Sequence, residues 1–242
     1  MKLTALIACK NREANLTHCL VSIEQCTPRP SVVIVDFGSK VPVHTFAKKY
    51  PWVTTIRVTR KTDLFHKARA LNIGLRTIRT PFFCATDTDQ IFQPNFFGVV
   101  LSTLLNKKRS VVLCKSYFLK VHPKPAETYE QLLEKAKAST TKVHGEGCCT
   151  GLWTKWAQNT HGWDEAYVGY GAEDSDVILR ANLCKFSTVW VNKRTSTIHL
   201  PHPKTGVYYS NKAYFAENKR RYLLRKLNKD IIVNTHTPWG VK

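Results

Sequence analysis

Acidic residues are scarce in this chain of 242 residues, which has 17 Asp and Glu against 37 Lys and Arg and a formal net charge of +20 at pH 7. Long apolar runs are also missing, because none approaches the roughly 18 residues that span a bilayer. The apolar stretch after Lys2 stops at Lys10, too early for a secretory signal, and predicts a buried first strand. We therefore expect no signal peptide and no transmembrane segment. The expected location is cytoplasmic, either free or peripheral at a membrane.

Cysteine pairs with the CxxC spacing are absent, although the chain has eight cysteines. Several of them, such as Cys84 and Cys114, lie in apolar runs typical of strands, where a free thiol behaves as a small hydrophobic group. The sequence therefore predicts reduced, mostly buried thiols rather than a disulfide framework.

Signatures of nucleic-acid binding are missing as well. The chain has no zinc-finger spacing, no aromatic strand of the RNP type, and no basic patch interleaved with aromatics before its last predicted helix. The surplus positive charge suits nucleic acid, an anionic membrane surface or a phosphorylated substrate, so charge alone does not choose among them.

The few carboxylates are concentrated in two short segments. Seven of the 17 acidic residues fall in a first acidic cluster, Asp87 to Asp89, and a second acidic cluster, Asp164 to Asp176. Such crowding is electrostatically costly unless a cation or a reaction uses the carboxylates. A metal-bound, negatively charged substrate is the ligand that this pattern favours.

The first half of the chain has the pattern of an α/β fold. Leu3 to Ala8 and Ser31 to Asp36 are apolar runs separated by a helix-length segment, Asn15 to Cys26, with apolar residues at helical spacing. A further apolar run, Pro81 to Thr86, leads directly into the first acidic cluster. Because ligands bind at the carboxyl ends of parallel strands, we expect Asp36 and the first acidic cluster to face a bound ligand.

The first acidic cluster has the form Asp87-x-Asp89. Two aspartates at the end of a buried strand can supply hard oxygen ligands to one divalent cation, which also bridges diphosphate oxygens. The alternative is a solvated turn, where this spacing is common by chance. The apolar strand before the pair and Ile91-Phe92 after it favour the metal site.

Within the second acidic cluster, Glu173 and Asp174 follow a glycine-rich turn and open a predicted helix. They could simply cap that helix, since carboxylates are stabilised at a helix N-terminus. Trp163 and Tyr170 favour function instead, because aromatics beside a catalytic carboxylate commonly form a wall on which a sugar stacks.

Two further segments carry candidate residues. His199 and His202 lie in a segment stiffened by prolines, and one imidazole could complete a metal site begun by the aspartates. Lys67 and Arg69 precede the first acidic cluster on a predicted helix, where they meet either a diphosphate or only solvent.

Taken together, these motifs resemble those of family 2 glycosyltransferases with the GT-A fold. The motifs are Asp36, F-x-K-A-R-A-L-N-I-G at 65–74, Asp87-x-Asp89, G-W-D-E-x-Y-x-G-Y-G-A-E-D-S-D-x-x-x-R at 162–180, and His199-x-x-His202. The C-terminal part is similar to the galactosyltransferase domain of beta-1,4-galactosyltransferases and animal polypeptide N-acetylgalactosaminyltransferases.

The resemblance implies a Rossmann-like, mostly parallel central sheet flanked by helices in a single compact domain. Residues 1–207 would form the transferase domain, with a nucleotide-sugar-binding half at 1–115 and an acceptor and catalytic half at 116–207. Residues 208–242 lie outside the resemblance, and their basic residues predict a C-terminal helix and tail that could contact anionic lipid.

The resemblance also implies roles for individual residues. Asp174 would be the general base and Glu173 would orient a sugar, while Asp89 with His199 or His202, and Asp87 beside the ribose, would hold Mn²⁺ or Mg²⁺. Trp163 and Tyr170 would contact the acceptor. The implied donor site comprises Ala8, Asn11 or Arg12, Asp36, Lys67, Arg69, Asn72 and Asp87.

The implied function is metal-dependent, inverting transfer of a hexose or N-acetylhexosamine from a UDP-sugar to a glycan or other hydroxyl acceptor. The alternative from another class is a basic nucleic-acid-binding protein or metal-dependent nuclease, which would use the same carboxylate and histidine types.

Overall fold

The structure, a computed structural model, describes residues 2–59, 64–124, 126–139, 143–144, 148–203 and 212–241. Its strands are β1 (Leu3–Cys9), β2 (Ser31–Asp36), β3 (Val53–Arg57), β4 (Phe82–Thr86), β5 (Gln90–Phe92), β6 (Ser110–Leu113), β7 (Ser116–Phe118), β8 (Val143–His144), β9 (Cys149–Trp153), β10 (Ser187–Trp190) and β11 (Thr197–His199). Its helices are α1 (Glu13–Glu24), α2 (His44–Ala47), α3 (Lys67–Leu75), α4 (Phe96–Asn106), α5 (Tyr129–Ser139), α6 (Thr154–Asn159), α7 (Glu173–Leu183) and α8 (Lys212–Asn228).

The main sheet has seven strands in the order β10-β6-β9-β4-β1-β2-β3. All neighbours pair in parallel except β9, which is antiparallel to both β4 and β6. Every residue of β1 is buried, as expected for a parallel strand covered on both faces. Its alternate residues pack into two core layers, one with α1 and α4 and the other with α3, α6 and α7. These layers confirm the predicted α/β fold class.

A second, four-stranded sheet in the order β5-β11-β7-β8 packs against α5 through Ile91, Ile198 and Leu132. The chain passes from the main sheet to this small sheet at Asp87, Thr88 and Asp89, between β4 and β5. Strand β11 pairs antiparallel with β5 and places His199 opposite Gln90. The first acidic cluster and the late histidines therefore meet where the two sheets join.

The predicted division at residue 115 does not divide the main sheet. Strands β9 and β10 come from the predicted second half and pair in the same sheet as β1 to β4. The predicted basic C-terminal helix corresponds to α8, and residues 208–211 and 242 of the predicted tail lie outside the described residues. Among the helices that the structure describes, none has the length and apolar character needed to cross a membrane.

Candidate functional site

One group of potential metal ligands lies at the junction of the two sheets. It consists of Asp89, His199 and His202, and their ligand atoms all lie within 4.8 Å of one another. His199 Nε2 is 3.5 Å from Asp89 Oδ1, and His202 Nε2 is 3.3 Å from Asp89 Oδ2. Asp89 Oδ1 is buried and makes no hydrogen bond to any residue that the structure describes. An orphaned carboxylate oxygen facing two imidazoles fits a divalent cation.

The segment after β11 is held in place from α1. Asn15 Nδ2 donates a hydrogen bond to the carbonyl oxygen of Pro201 at 3.2 Å, and Arg12 Nη2 lies 3.4 Å from His202 Nδ1. Burial lowers the pKa of His202, and this effect outweighs the opposing attraction of Asp89. His202 is therefore kept neutral, which is the form of imidazole that binds a metal.

A second group of charges surrounds the ammonium of Lys67, at the N-terminus of α3. Lys67 Nζ lies 3.0 Å from Asp87 Oδ1, 2.7 Å from Asp174 Oδ2 and 3.6 Å from Glu173 Oε1. Glu173 and Asp174 open α7, where the helix N-terminus favours negative charge. One ammonium therefore holds carboxylates from both acidic clusters together.

Burial raises the pKa of Glu173, and the neighbouring charge of Asp174 adds to the effect, while Lys67 opposes it. Three carboxylates face one ammonium, so an added proton or a further cation stabilises the site electrostatically. Such a site can accept a proton from a substrate hydroxyl.

Both carboxylate oxygens of Asp174 are oriented by the protein. Lys67 holds Oδ2, and the indole nitrogen of Trp163 donates a hydrogen bond to Oδ1 at 3.1 Å. Trp163 is only 1% exposed and packs edge to face on Phe83, so the prediction that it forms a sugar-stacking wall is wrong. Its buried ring positions Asp174 instead.

Tyr170, which is 45% exposed, stays a predicted acceptor contact.

Asn72 also differs from its predicted role, because its side chain is fully buried and cannot reach a donor. Its amide donates to the Trp163 carbonyl and to Glu165, and its Oδ1 accepts from the Trp163 backbone nitrogen at 2.8 Å. The backbone approaches so closely that a Cβ on Gly162, where φ is +68°, would lie 2.0 Å from Asn72 Oδ1. Asn72 therefore fixes the segment that carries Trp163.

Two polar residues of the predicted nucleotide site hold the loop after β2. They are Asn11 and Asp36, at the carboxyl edge of β1 and β2. Asp36 is 1% exposed and accepts hydrogen bonds from the backbone nitrogens of Ser39 and Val43 and from Arg57. Asn11 Oδ1 accepts from the Lys40 backbone nitrogen at 2.7 Å. With Ala8 at the end of β1 and Arg12 beside His202, they stay predicted donor contacts.

Two predicted residues do not join the groups in which they were expected. Asp87 was a predicted metal ligand, but its carboxylate pairs with Lys67 and is not part of the group formed by Asp89 and the histidines. Arg69 follows Lys67 by two residues, about 200° around the helix, and its guanidinium donates to the Val241 carbonyl instead.

A buried ion-pair network in the second acidic cluster was not anticipated. Arg225 of α8 lies 2.8 Å from Asp164 and 3.0 Å from Asp176, and Arg180 lies 2.7 Å from Asp176. The four-residue spacing of Asp176 and Arg180 is a helical signal for their pair. Nothing in the sequence pattern points to Arg225, some 50 residues further along the chain. Two of the five acidic residues of the second acidic cluster, Asp164 and Asp176, are thus structural.

Comparisons with known proteins agree with this geometry. The family model described as glycosyl transferase family 2 matches residues 4–156, and the model described as the N-terminal domain of galactosyltransferase matches residues 133–203. The chain belongs to glycosyl transferase family 2. This result favours the predicted sugar transferase over the alternative nucleic-acid-binding protein or nuclease. No curated protein sequence matches the chain.

Solved structures share the fold. S. aureus TarS superposes with a TM-score of 0.68 at 16% identity, over 94% of this chain and 40% of TarS. Residues 1–349 of TarS in complex with UDP-GlcNAc give the same score over 67% of that chain. The mannosyltransferase PcManGT from Pyrobaculum calidifontis, in complex with GDP-Man and Mn²⁺, gives 0.65 at 18% identity, over 94% of this chain and 64% of PcManGT. The chain thus spans well under half of full TarS, and these likenesses establish the GT-A fold.

Proposed function

We propose that the protein is an inverting glycosyltransferase that uses a UDP-sugar donor and a divalent cation, Mn²⁺ or Mg²⁺. The observation that carries the proposal is that one short segment after β4 supplies a residue to each group. Asp89 belongs to the group with the two histidines, and Asp87, two residues earlier, pairs with the ammonium of Lys67 that also holds Glu173 and Asp174. A cation site beside an oriented pair of carboxylates suits displacement of a diphosphate from a sugar.

Asp89, His199 and His202 would hold the cation. When bound, the cation neutralises the negative charge that develops on the departing diphosphate. Lys67, which pairs with Asp87 in this structure, can supply a further positive charge to the diphosphate. Solved structures of the same fold that contain UDP-GlcNAc or GDP-Man support a nucleotide-sugar donor.

Asp174 is the residue that we assign as general base. Its oxygens are oriented by Trp163 and Lys67, and it would take the proton of the acceptor hydroxyl as that oxygen attacks the anomeric carbon. The new glycosidic bond forms as the bond from the anomeric carbon to the diphosphate oxygen breaks, and the nucleoside diphosphate leaves. A single in-line displacement inverts the anomeric centre. Glu173 would orient the sugar, and the exposed ring of Tyr170 would contact the glycan or other hydroxyl acceptor.

Hydrolysis of the donor tests this assignment without knowledge of the acceptor. The protein is incubated with UDP-sugars and Mn²⁺, and UDP release and the anomer of the freed sugar are followed by proton NMR. We expect the β-anomer to appear first from an α-linked donor. Asp174→Asn should slow UDP release by at least about 100-fold, because general-base catalysis contributes this much.

Glu24→Gln is the matched control, since Glu24 is an exposed carboxylate at the end of α1. It should leave the rate unchanged. First appearance of the α-anomer, or full activity of Asp174→Asn in a protein with unaltered thermal unfolding, would remove Asp174 as the base.

A further inference from the structure

Helix α8 turns a polar face toward the rest of the protein. Asn218 is 2% exposed and donates hydrogen bonds to the carbonyl oxygens of Val168 and Tyr170 at 2.9 and 3.2 Å. Arg225, seven residues later on the same face, forms the ion pairs with the second acidic cluster. Tyr214, on the same face, lies against Gly169, and none of the leucines of the helix lies on this face. Hydrogen bonds and charge pairs therefore provide most of the anchoring.

The leucines of α8 lie on its opposite face. Leu223, Leu224 and Leu227 are 50%, 40% and 75% exposed, and Ile232, beyond the helix end, is 52% exposed. A surface helix normally directs such residues toward the core and its charges toward water. Here the usual arrangement is reversed. An apolar stripe of this kind on a surface marks an interaction site.

Basic side chains flank this stripe. Of the 17 residues of α8, six are basic and one, Glu217, is acidic. At 100° per residue, Lys219 and Lys226 lie along one edge of the stripe, and Arg220, which pairs with Glu217, lies within it between Leu227 and Leu224. All three are exposed. Leucines flanked by lysine and arginine are the composition of a helix that lies in a membrane interface.

Charge distinguishes among the partners that such a stripe could meet. A second copy of the chain carries the same net charge of +20 and the same basic helix, so the two copies would repel each other. A nucleic acid would satisfy the charges but would leave the leucines without a partner, because single strands are bound through aromatic stacking and hydrogen bonds. An anionic lipid surface satisfies both the basic and the apolar side chains.

We propose that the outer face of α8, formed by Leu223, Leu224, Leu227 and their basic neighbours, docks the protein on an anionic membrane surface. The leucines enter the headgroup boundary, and the lysines and Arg220 contact lipid phosphates. The polar inner face keeps the helix attached to the protein while it is docked.

Co-sedimentation of the full chain with vesicles tests the proposal. We expect binding to phosphatidylcholine vesicles that contain phosphatidylglycerol, much weaker binding to pure phosphatidylcholine, and a loss with rising salt. Leu223→Ser, Leu224→Ser and Leu227→Ser combined should weaken binding at least about tenfold. The matched control changes three exposed apolar residues elsewhere, Val41→Ser, Leu105→Ser and Val121→Ser, and should bind as the unaltered protein does.

A second pair of variants separates local charge from net charge. Lys219→Glu with Lys226→Glu should weaken binding at least about tenfold. Lys107→Glu with Lys108→Glu changes the net charge equally on another exposed surface and should have a much smaller effect.

Two results would overturn the proposal directly. The unaltered protein would fail to bind anionic vesicles, or the α8 variants would bind them as well as the unaltered protein does. Two others point to a different occupant: an oligonucleotide gel shift lost only in the α8 variants, and a dimer in sedimentation velocity that the leucine variant dissolves, each without vesicle binding.

Discussion

Lys67 is the residue on which the electrostatics of the site depend. Its ammonium is largely buried and lies within 3.6 Å of carboxylate oxygens of Asp87, Glu173 and Asp174. Burial, together with the charge of Asp174, raises the pKa of Glu173. The attraction of Lys67 opposes this rise but does not cancel it. Because the pKa of Glu173 in the folded protein lies above its unfolded value, its contribution to stability is present below the unfolded pKa. That contribution is lost as the pH rises through the folded value, about 7.

Lys67→Met should therefore destabilise the protein more at pH 8 than at pH 5. Without the ammonium, the pKa of Glu173 rises further, so at pH 8 the folded protein must either take up a proton on Glu173 or keep its charge beside Asp87 and Asp174. Either one costs free energy of folding at pH 8, and the cost is smaller at pH 5, where Glu173 is already protonated. We expect the free energy of unfolding at pH 8 to fall by about 1 to 3 kcal/mol. Urea unfolding in the presence of chelator measures it.

The control is Lys135→Met, because Lys135 pairs with Glu127 on the surface and its side chain is 49% exposed. It should cost less than about 1 kcal/mol. If Lys67→Met lowered the free energy of unfolding equally at pH 5 and pH 8, Lys67 would stabilise the protein by packing rather than by charge.

Residue types in the sequence identified the site but not the orientation of each side chain. Asp87 and Asp89 follow the same strand, yet one faces Lys67 and the other faces His199 and His202. Trp163 and Asn72 belong to the same motifs as the reactive residues and yet are buried beneath them. A motif cannot separate the residues that contact a ligand from those that hold them, since both depend on packing between segments distant in sequence.

At the scale of elements, the buried strands and helices explain the cysteines. Seven of the eight cysteines are buried, which confirms the expectation of mostly buried thiols. Their reduced state stays a prediction. Burial raises the pKa of Cys9, Cys26 and Cys114 to about 12 and that of Cys149 to about 11. Burial likewise raises the pKa of Cys19 and Cys84, and the hydrogen bond with Cys149 together with burial raises that of Cys148. Cys184, at the end of α7, is the only partly exposed cysteine.

We therefore expect Ellman's reagent at pH 8 to react rapidly with a single thiol of the native protein and with all eight in denaturant, because the thiolate is the reacting form. Cys184→Ser should abolish the rapid phase. A rapid phase that persists in this variant would mean that a core strand opens readily.

Elements of the main sheet could be predicted because their apolar runs and helical spacings are strong local signals. The small sheet could not, since β5, β7 and β11 have only three residues each. Strands this short carry little periodicity and are defined by pairing over long distances, such as β5 with β11.

At the scale of the whole molecule, the C-terminal segment completes the site that the first 200 residues begin. Asn234 Nδ2 donates to the carbonyl oxygens of His161 and Trp163, the Gly240 backbone nitrogen donates to Glu165, and Arg76 donates to the Trp239 carbonyl. The segment beneath Asp174 is thereby held between α3 and the C-terminus. Sequence reasoning left this region outside the site because it contains no motif.

Arg225→Ala should lower the free energy of unfolding by about 3 kcal/mol. The Arg225 side chain is 11% exposed, and its removal leaves the buried Asp164 carboxylate without a cation and Asp176 with Arg180 alone. Urea unfolding measures the loss. Arg221→Ala, whose guanidinium lies 3.6 Å from the partly exposed Glu217, should cost under about 1 kcal/mol. Equal losses in the two variants would contradict a structural role for the buried network.

Calorimetry with UDP and UDP-sugars, in Mn²⁺ and in chelator, measures whether the site binds a nucleotide-sugar through a divalent cation. We expect heat of binding for UDP and at least one UDP-sugar with Mn²⁺, little with chelator, and none with CMP. Asp89→Ala should abolish the metal-dependent part, whereas Asp230→Ala, at a side chain 56% exposed, should preserve it. Absence of any nucleotide binding under every metal condition, or metal-dependent binding that survives Asp89→Ala, would rule out a metal-dependent nucleotide site built on Asp89.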